Sequence, residues 1–366
     1  MKLILFALLT CFNIQAADNP LALDKQKLGK TPTGFQIIHV GPGHPGSVKV
    51  MERQVPNPNT GALEDLRTLE IRGATKHPQH YTLALLKKPT YGNFTYSTRF
   101  KVLGGTGIRA AGIVFRMQDN MKDYYLLAVK PASKEAFWTV FKDNKPVQGF
   151  RFDEENFTAP KDGWQSVNLL CKNNKISWTL NHREDFVTYK PEKVPDYRDG
   201  LIGFWVRSDS HVLFVEAEAL TLKEHQQKQL SAILRKISLE NKRVLSLQIA
   251  ARSTKGKSPF VVASLNAKEI GRQAHEVVSE VLDKEENYYG QKKGVSTVTI
   301  PLKDRNGMIF AAARMRLDSG FKTTKSQDLV YSKNIGRLIQ SKIDVTLGIK
   351  SVLPAEAVDG ETDSPK

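Results

Sequence analysis

The sequence predicts a mainly β, multidomain chain: a β-sandwich followed by a smaller α/β domain. Three observations carry this. From Gly34 to about Leu222 the chain is a succession of short alternating or apolar runs, with no long helical pattern among them. At Thr221-Leu222-Lys223 the period changes to that of a helix. The charge also divides there: of a net +16, residues 17–222 carry +6 and the shorter stretch 223–350 carries +12. The 366 residues suffice for two ordinary domains. Only two cysteines are present, which excludes a disulfide scaffold.

In chain order, residues 1–16 read as a signal peptide. Lys2 supplies the positive start, Leu3 to Leu9 the apolar run, and Ile14-Gln15-Ala16 a cleavage site. The run is too short for a membrane span. A competing reading, lipidation at Cys11, fits poorly, because Leu8-Leu9-Thr10 lacks the small residue expected before the cysteine. No later stretch reaches the length of a transmembrane helix, so the expectation is a soluble protein, secreted or periplasmic. Cys171, in Leu169-Leu170-Cys171, reads as a small buried hydrophobe. Asn93-Phe94-Thr95 and Asn156-Phe157-Thr158 are glycosylation sequons that matter only on a eukaryotic secretory route.

The sandwich, residues 17–222, then unfolds strand by strand. Phe94, Tyr96, Thr98, Phe100 and Val102 alternate with polar or small residues, and Gly104-Gly105-Thr106-Gly107 turns the chain. Ala111 to Arg116, Tyr124 to Val129 and Phe137 to Phe141 follow as strands, with Lys142 to Lys145 as a turn. Trp164 to Cys171 runs through Asn173-Asn174 into Ile176 to Leu180, a hairpin signal. Leu201 to Val206 and Val212 to Leu222 close the set. Many short strands at this spacing predict two packed antiparallel sheets.

Several of these pieces have a familiar form. Gly112-Ile113-Val114-Phe115-Arg116, Asp123-Tyr124-Tyr125-Leu126, Gly163-Trp164-Gln165-Ser166-Val167 and Gly200 to Ser210 (GLIGFWVRSDS) together resemble the concanavalin A-like jelly roll of the 3-keto-disaccharide hydrolase type and of laminin-G-like carbohydrate modules. The resemblance spans about residues 35–222 and implies a concanavalin A-like β-sandwich.

The chemistry divides between binding and hydrolysis. Glycoside hydrolysis normally wants two carboxylates flanking one bond. The Glu-x-Asp-x-x-Glu arrangement of a related sandwich hydrolase family is absent, Glu64 to Glu70 has the wrong spacing, and Glu216-Ala217-Glu218 reads as surface. His77-x-x-His80 lies in a Pro-containing loop without an acidic third ligand, and His44 sits in a turn-rich loop without an evident partner, so no metal and no cofactor are expected. Sugars present apolar C–H faces and hydroxyl edges, and their sites pair aromatic rings with polar donors and acceptors. Arg116, Asp119, Asn120, Tyr124, Trp138, Arg207, Asp209 and His211 stand at strand ends and turns where such groups could converge. Trp164, Trp178 and Trp205 read as core, whereas Trp138 stays open. Arg116 either lines the concave face or pairs with a carboxylate.

The last third is a different domain. Leu230, Ile233, Leu234 and Ile237 mark a helix across the linker 223–242. The α/β domain, 243–350, begins with strands at Val244 to Ala251 and Phe260 to Ser264. Asn266 can cap a helix starting near Ala267, and helical spacing continues from Arg272 to Asp283. Val295 to Leu302 and Met308 to Leu317 form a hairpin around Asp304-Arg305-Asn306-Gly307, and Asp328 to Ile343 a final helix. The acidic tail, 351–366, reads as disordered. Pro259 to Ser264, Glu269-Ile270-Gly271 and Ile300 to Gly307 resemble Cache sensor domains, relatives of the PAS fold, over about residues 243–345. That PAS/Cache-like resemblance implies a small-molecule pocket, with Arg252, Tyr288, Tyr289, Arg314 and Arg316 as candidate pocket or rim residues for a small anionic ligand. Such domains usually hang on transmembrane signalling proteins, and the lack of a span departs from that pattern.

Export and the absence of a recognition motif argue against nucleic acid, and a basic face fits acidic glycans or small carboxylates better. Three readings follow: a carbohydrate-binding protein with glycan or polysaccharide as partner and a second ligand-binding domain, a glycoside or 3-keto-glycoside hydrolase or lyase, and an envelope assembly protein. Convergence of two or more acids with Tyr124 or His211 on the sandwich would favour the enzyme.

Overall fold

The computed structural model describes residues 19–152, 160, 163–181, 187–189, 196–252, 257–304, 306–320 and 323–346. The signal segment with Cys11, the Asn156 sequon, Arg305 of the expected turn and the tail from 351 lie outside the described residues. The chain forms two units, 18–222 and 223–366. Among the described residues no helix is long and apolar enough to cross a membrane.

Among the described residues the first unit contains fourteen strands: β1 (Phe35–Val40), β2 (Ser47–Pro56), β3 (Leu63–Arg72), β4 (Tyr81–Leu86), β5 (Phe94–Gly104), β6 (Ala111–Met117), β7 (Tyr124–Lys130), β8 (Glu135–Lys142), β9 (Lys145–Phe152), β10 (Trp164–Lys172), β11 (Lys175–Leu180), β12 (Val187–Tyr189), β13 (Leu201–Arg207) and β14 (His211–Thr221). They make two seven-stranded antiparallel sheets. Sheet A runs β1-β4-β13-β6-β7-β8-β9 and sheet B runs β12-β11-β10-β5-β14-β3-β2. The expected sandwich is therefore present.

Its core follows from period-2 alternation. Ile113, Phe115, Tyr125, Leu127, Trp138 and Phe204 of sheet A meet Leu69, Phe94, Tyr96, Phe100, Val167, Cys171, Trp178 and Phe214 of sheet B. Cys171 is buried as expected, and burial pushes its thiol up to about 12. Trp138, left open by the sequence, is core, with its ring 5.6 Å from Tyr125. Trp164 is buried as expected, but in a separate cluster with Val55, Leu213 and Val215, alternate residues that face outward from sheet B.

The second unit is a five-stranded antiparallel sheet between helices. The strands are β15 (Val244–Ala251), β16 (Phe260–Ser264), β17 (Tyr288–Lys292), β18 (Val295–Lys303) and β19 (Ile309–Asp318), in the order β16-β15-β19-β18-β17. One face packs on α1 (Leu222–Glu240) and α3 (Lys325–Thr346) through Leu230, Leu234, Ile237, Ile335, Ile339 and Ile343. Thus α1, read above as a linker, supplies part of this core. The opposite face packs on α2 (Glu276–Lys284) through Val277, Val278, Val281 and Leu282 against Ala250, Val261 and Ala312. Asn266 caps only a 3-10 turn, Ala267–Glu269. Helix α2 starts instead at His275, whose ring nitrogen accepts from the Val277 N–H. Gly271, at φ +81°, lies between the two.

Candidate functional site

Sheet A has a second apolar layer, on the face turned away from the sandwich interior. Leu83, Leu85, Val114, Tyr124, Leu126, Phe141 and Trp205 alternate with the core residues, yet are buried too. The continuous apolar run Leu201 to Val206 is the sequence counterpart, since a strand buried on both faces loses its alternation.

The register shows how this face closes into a cleft. One row crosses the sheet as Leu83, Trp205, Gly112, Ala128 and Phe137. Strands β13 and β8 are three steps apart, about 14 Å on a flat sheet. The Trp205 and Phe137 rings nevertheless lie 6.3 Å apart, edge to face. Tyr81 of β4 and Phe141 of β8 are four strand steps apart, with rings 6.0 Å from each other. The sheet is therefore strongly curled, and the large rings arch over the small residues Gly112 and Ala128. Gly112 is required by the close approach of the β7 backbone beneath those rings. A Cβ there would stand 2.0 Å from the Leu127 carbonyl oxygen and 2.5 Å from Ala128 Cα.

The cleft encloses about 360 Å³. Tyr81, Phe137, Phe141 and Trp205 are its aromatic walls, Leu126, Pro146 and Val147 add apolar surface, and Lys130, Thr139, Gln148 and Arg207 are its polar groups. Lys130 lies over the Phe137 ring at 5.5 Å and pairs with Glu135 at 2.7 Å. Arg207 Nε donates to the Pro78 carbonyl at 2.8 Å. The buried Trp205 indole N–H finds no acceptor among the described residues. Burial raises the Tyr81 hydroxyl above its ordinary pKa, against the pull of Arg207.

The eight sandwich residues singled out from the sequence do not converge. Only Arg207 lines the cleft. Arg116 is fully buried at φ +50°, and neither alternative offered for it holds: its guanidinium donates to the carbonyls of Tyr197 (2.9 Å), Gly92 (2.9 Å) and Asn173 (2.8 Å), fastening three loops. Trp138 is interior, and Tyr124 is stacked on Phe141 at 4.6 Å beneath the cleft wall. Asn120 accepts from the Lys122 and Asp123 N–H groups and so shapes a turn, with exposed Asp119 beside it. Asp209 latches a loop by accepting from Thr106 and Gly107. Burial would raise its pKa, but these hydrogen bonds outweigh it and hold the group below the usual range. His211 sits on sheet B, 3.1 Å from Glu70. Trp205 is buried, in keeping with its reading as core, yet borders the cleft, where Tyr81 and Phe137, which the sequence does not mark out, join it. Their meeting depends on curl between strands that are distant in sequence.

In the second unit, three of the five candidates share the α2 face. A polar row crosses the sheet as Ser264, Gln248, Arg314, Thr299 and Tyr288, with Arg316 two residues from Arg314 on the same face. Arg314 is partly buried and donates to Thr299 Oγ1 at 3.2 Å, and burial, with the charge of Arg316, holds its pKa below the ordinary arginine value. The other two are committed elsewhere. Arg252 pairs with Asp283 at 2.6 Å, and Tyr289 packs on the opposite face, its hydroxyl 3.1 Å from Ser296.

No group of three or more His, Cys, Asp or Glu residues suited to a metal ion occurs among the described residues. No family model matches the chain, and no curated protein matches it in sequence. Among solved structures it is similar to carbohydrate binding module CBM66 from Bacillus subtilis, with 13% identity and a TM-score of 0.37 over 54% of this chain and 99% of that one. A Bacillus subtilis protein of unknown function with a galectin-like fold matches at 8% identity and 0.35, covering 50% of this chain and 88% of that one. The cellulose induced protein Cip1 matches at 13% and 0.35, covering 52% and 92%. The geometry above, not these likenesses, carries the reading that follows.

Proposed function

We propose that the chain is an exported carbohydrate-binding protein, secreted or periplasmic, whose sandwich takes a saccharide in the sheet A cleft. The observation that carries this is the aromatic lining of Tyr81, Phe137, Phe141 and Trp205 beside Arg207, Gln148 and Thr139. Ring faces suit the C–H face of a pyranose, and the polar groups suit its hydroxyls. Binding is favoured over acid–base hydrolysis because none of the lining residues is a carboxylate, whereas glycoside cleavage normally uses two. The concanavalin A-like resemblance of the sequence supports the same reading.

The second unit takes a small anionic ligand in this reading. Its supporting observation is the half-buried Arg314, with Arg316 and Tyr288 on the open part of the α2 face. The PAS/Cache resemblance points to the same class of role.

A glycan array probed with the full chain tests the sandwich reading. Retention of a glycan by the wild type, lost in both Trp205→Ala and Phe137→Ala with far-ultraviolet circular dichroism preserved, is the expected result. Equal retention by the two variants would remove the cleft from the function. Turnover of a glycoside or 3-keto-glycoside would replace binding with catalysis.

A further inference from the structure

Where the sandwich cleft is polar, it is cationic. Two of its four polar lining residues are Lys130 and Arg207, and none is acidic. The two cations differ in what they have left to give. Lys130 is already neutralised by Glu135. Arg207 spends its Nε on a backbone carbonyl, and no ion pair with a carboxylate is found for it among the described residues. Its two terminal nitrogens thus remain for an incoming group. Beside it, the buried indole N–H of Trp205 is likewise without an acceptor.

We infer that the occupant is an acidic saccharide, a sugar ring carrying a carboxylate or a sulfate, with its anion on the Arg207 guanidinium and its apolar face on Phe137 and Val147. This rests on the saccharide reading of the same cleft. The argument is one of desolvation. A sugar that fills the cleft strips water from Arg207, and a bare guanidinium in a water-poor site is costly. A neutral sugar returns only hydroxyl dipoles. A carboxylate or sulfate returns a full counter-charge and two oxygens spaced to meet the planar fork of arginine. The volume, about 360 Å³, lies at the small end of the ligand-pocket range of about 300–1,000 Å³. It suits a chain end or a short segment rather than a long polysaccharide track.

The test is calorimetric titration of the full chain with three probes: a uronate trisaccharide, its carboxyl-reduced neutral counterpart, and the sulfated form of that neutral sugar. The expected result is that at least one acidic probe binds about 10-fold or more tighter than the neutral one. That margin should shrink as salt is raised. Arg207→Gln should bring the ratio of acidic to neutral affinity close to one, and Arg207→Lys, which keeps the charge but not the fork, should leave it in between. The wild-type ratio decides even if a variant fails to fold. A wild type that retains glycans on the array but shows a ratio near one overturns this inference alone. A folded wild type that retains no glycan overturns both readings. The identity of the preferred acidic probe separates carboxylate from sulfate.

Discussion

The outward faces of the two sandwich sheets handle charge in opposite ways. On sheet B, Glu70 is buried among cations, accepting from Arg53 and Arg72 at 2.6 Å each, with His211 at 3.1 Å. Arg99 on the same face pairs with Glu216 at 3.0 Å, lies over Trp164 at 5.3 Å and donates to the Pro56 carbonyl. Polar groups there satisfy one another and roof the apolar cluster beneath. On sheet A, the cleft keeps a cation and an indole N–H whose needs the described residues do not meet. The second unit repeats the contrast. Asp328 is closed in by Arg243, Ser296 and Ser319, while among the described residues Arg314 has a threonine hydroxyl as its partner. The lesson is that a charged residue points to a ligand when its neighbours leave it unsatisfied, not merely when it is charged and near a strand end.

The sharpest way to test that lesson sets two arginines against each other. Arg116 has three carbonyl partners and Arg207 one. Arg116→Met should therefore act on stability, costing about 3 kcal/mol or more in urea unfolding, because it leaves three carbonyls, one buried and two partly buried, without this donor. A loss below about 0.5 kcal/mol, the ordinary level for a surface change, would show that the clamp is dispensable.

A smaller effect, but one that joins fold to site, is expected from Gly112→Ala. The added methyl meets the β7 backbone rather than a flexible side chain, so the strands must part. Overpacking of this kind costs about 1–3 kcal/mol. Glycan retention should fall with it, because the ring-over-glycine arch is what shapes the cleft. Full retention with reduced stability would separate the curl from binding.

The strands of the sandwich were legible because each carries its own local signal, alternation in β8, β10, β11 and β14 and a short apolar run in β6, β7 and β13, and these stand within a few residues of their expected places. Strand β9 was not, since Pro146 and Gly149 break its pattern and the Lys142–Lys145 turn hides its start. The site was much less legible. Arg207 was singled out for lying at the end of an apolar strand, which is also true of Arg116. What distinguishes them is a backbone turned to φ +50° that sends Arg116 among three carbonyls. That is decided by Gly92, Asn173 and Tyr197, residues far away in sequence. The cleft likewise depends on the sum of small twists over four strand steps, which no local pattern encodes.

The gentlest test touches the satisfied face. Burial alone would raise the Glu70 carboxyl, but hydrogen bonds from Arg72 and Arg53, with the charges of Arg72 and His211, outweigh it and hold the group below its ordinary 4.5. A depressed carboxylate stabilises the fold fully above the unfolded value and loses that contribution as pH falls through the folded one. His211 slopes the same way at higher pH. Burial and then Arg72 hold its ring below the ordinary 6.5 against the pull of Glu70, so folding favours the neutral ring and stability declines as pH drops below 6.5. Glu70→Gln should cost about 1–2 kcal/mol at neutral pH. It should also flatten the acid limb of the stability profile below pH 4.5. With the Glu70 charge gone, His211 titrates lower still, so the decline just below pH 6.5 should steepen. Glycan affinity should not move, because Glu70 faces away from sheet A. If Glu70→Gln weakens glycan retention while unfolding free energy stays put, the division of labour between the two faces is wrong.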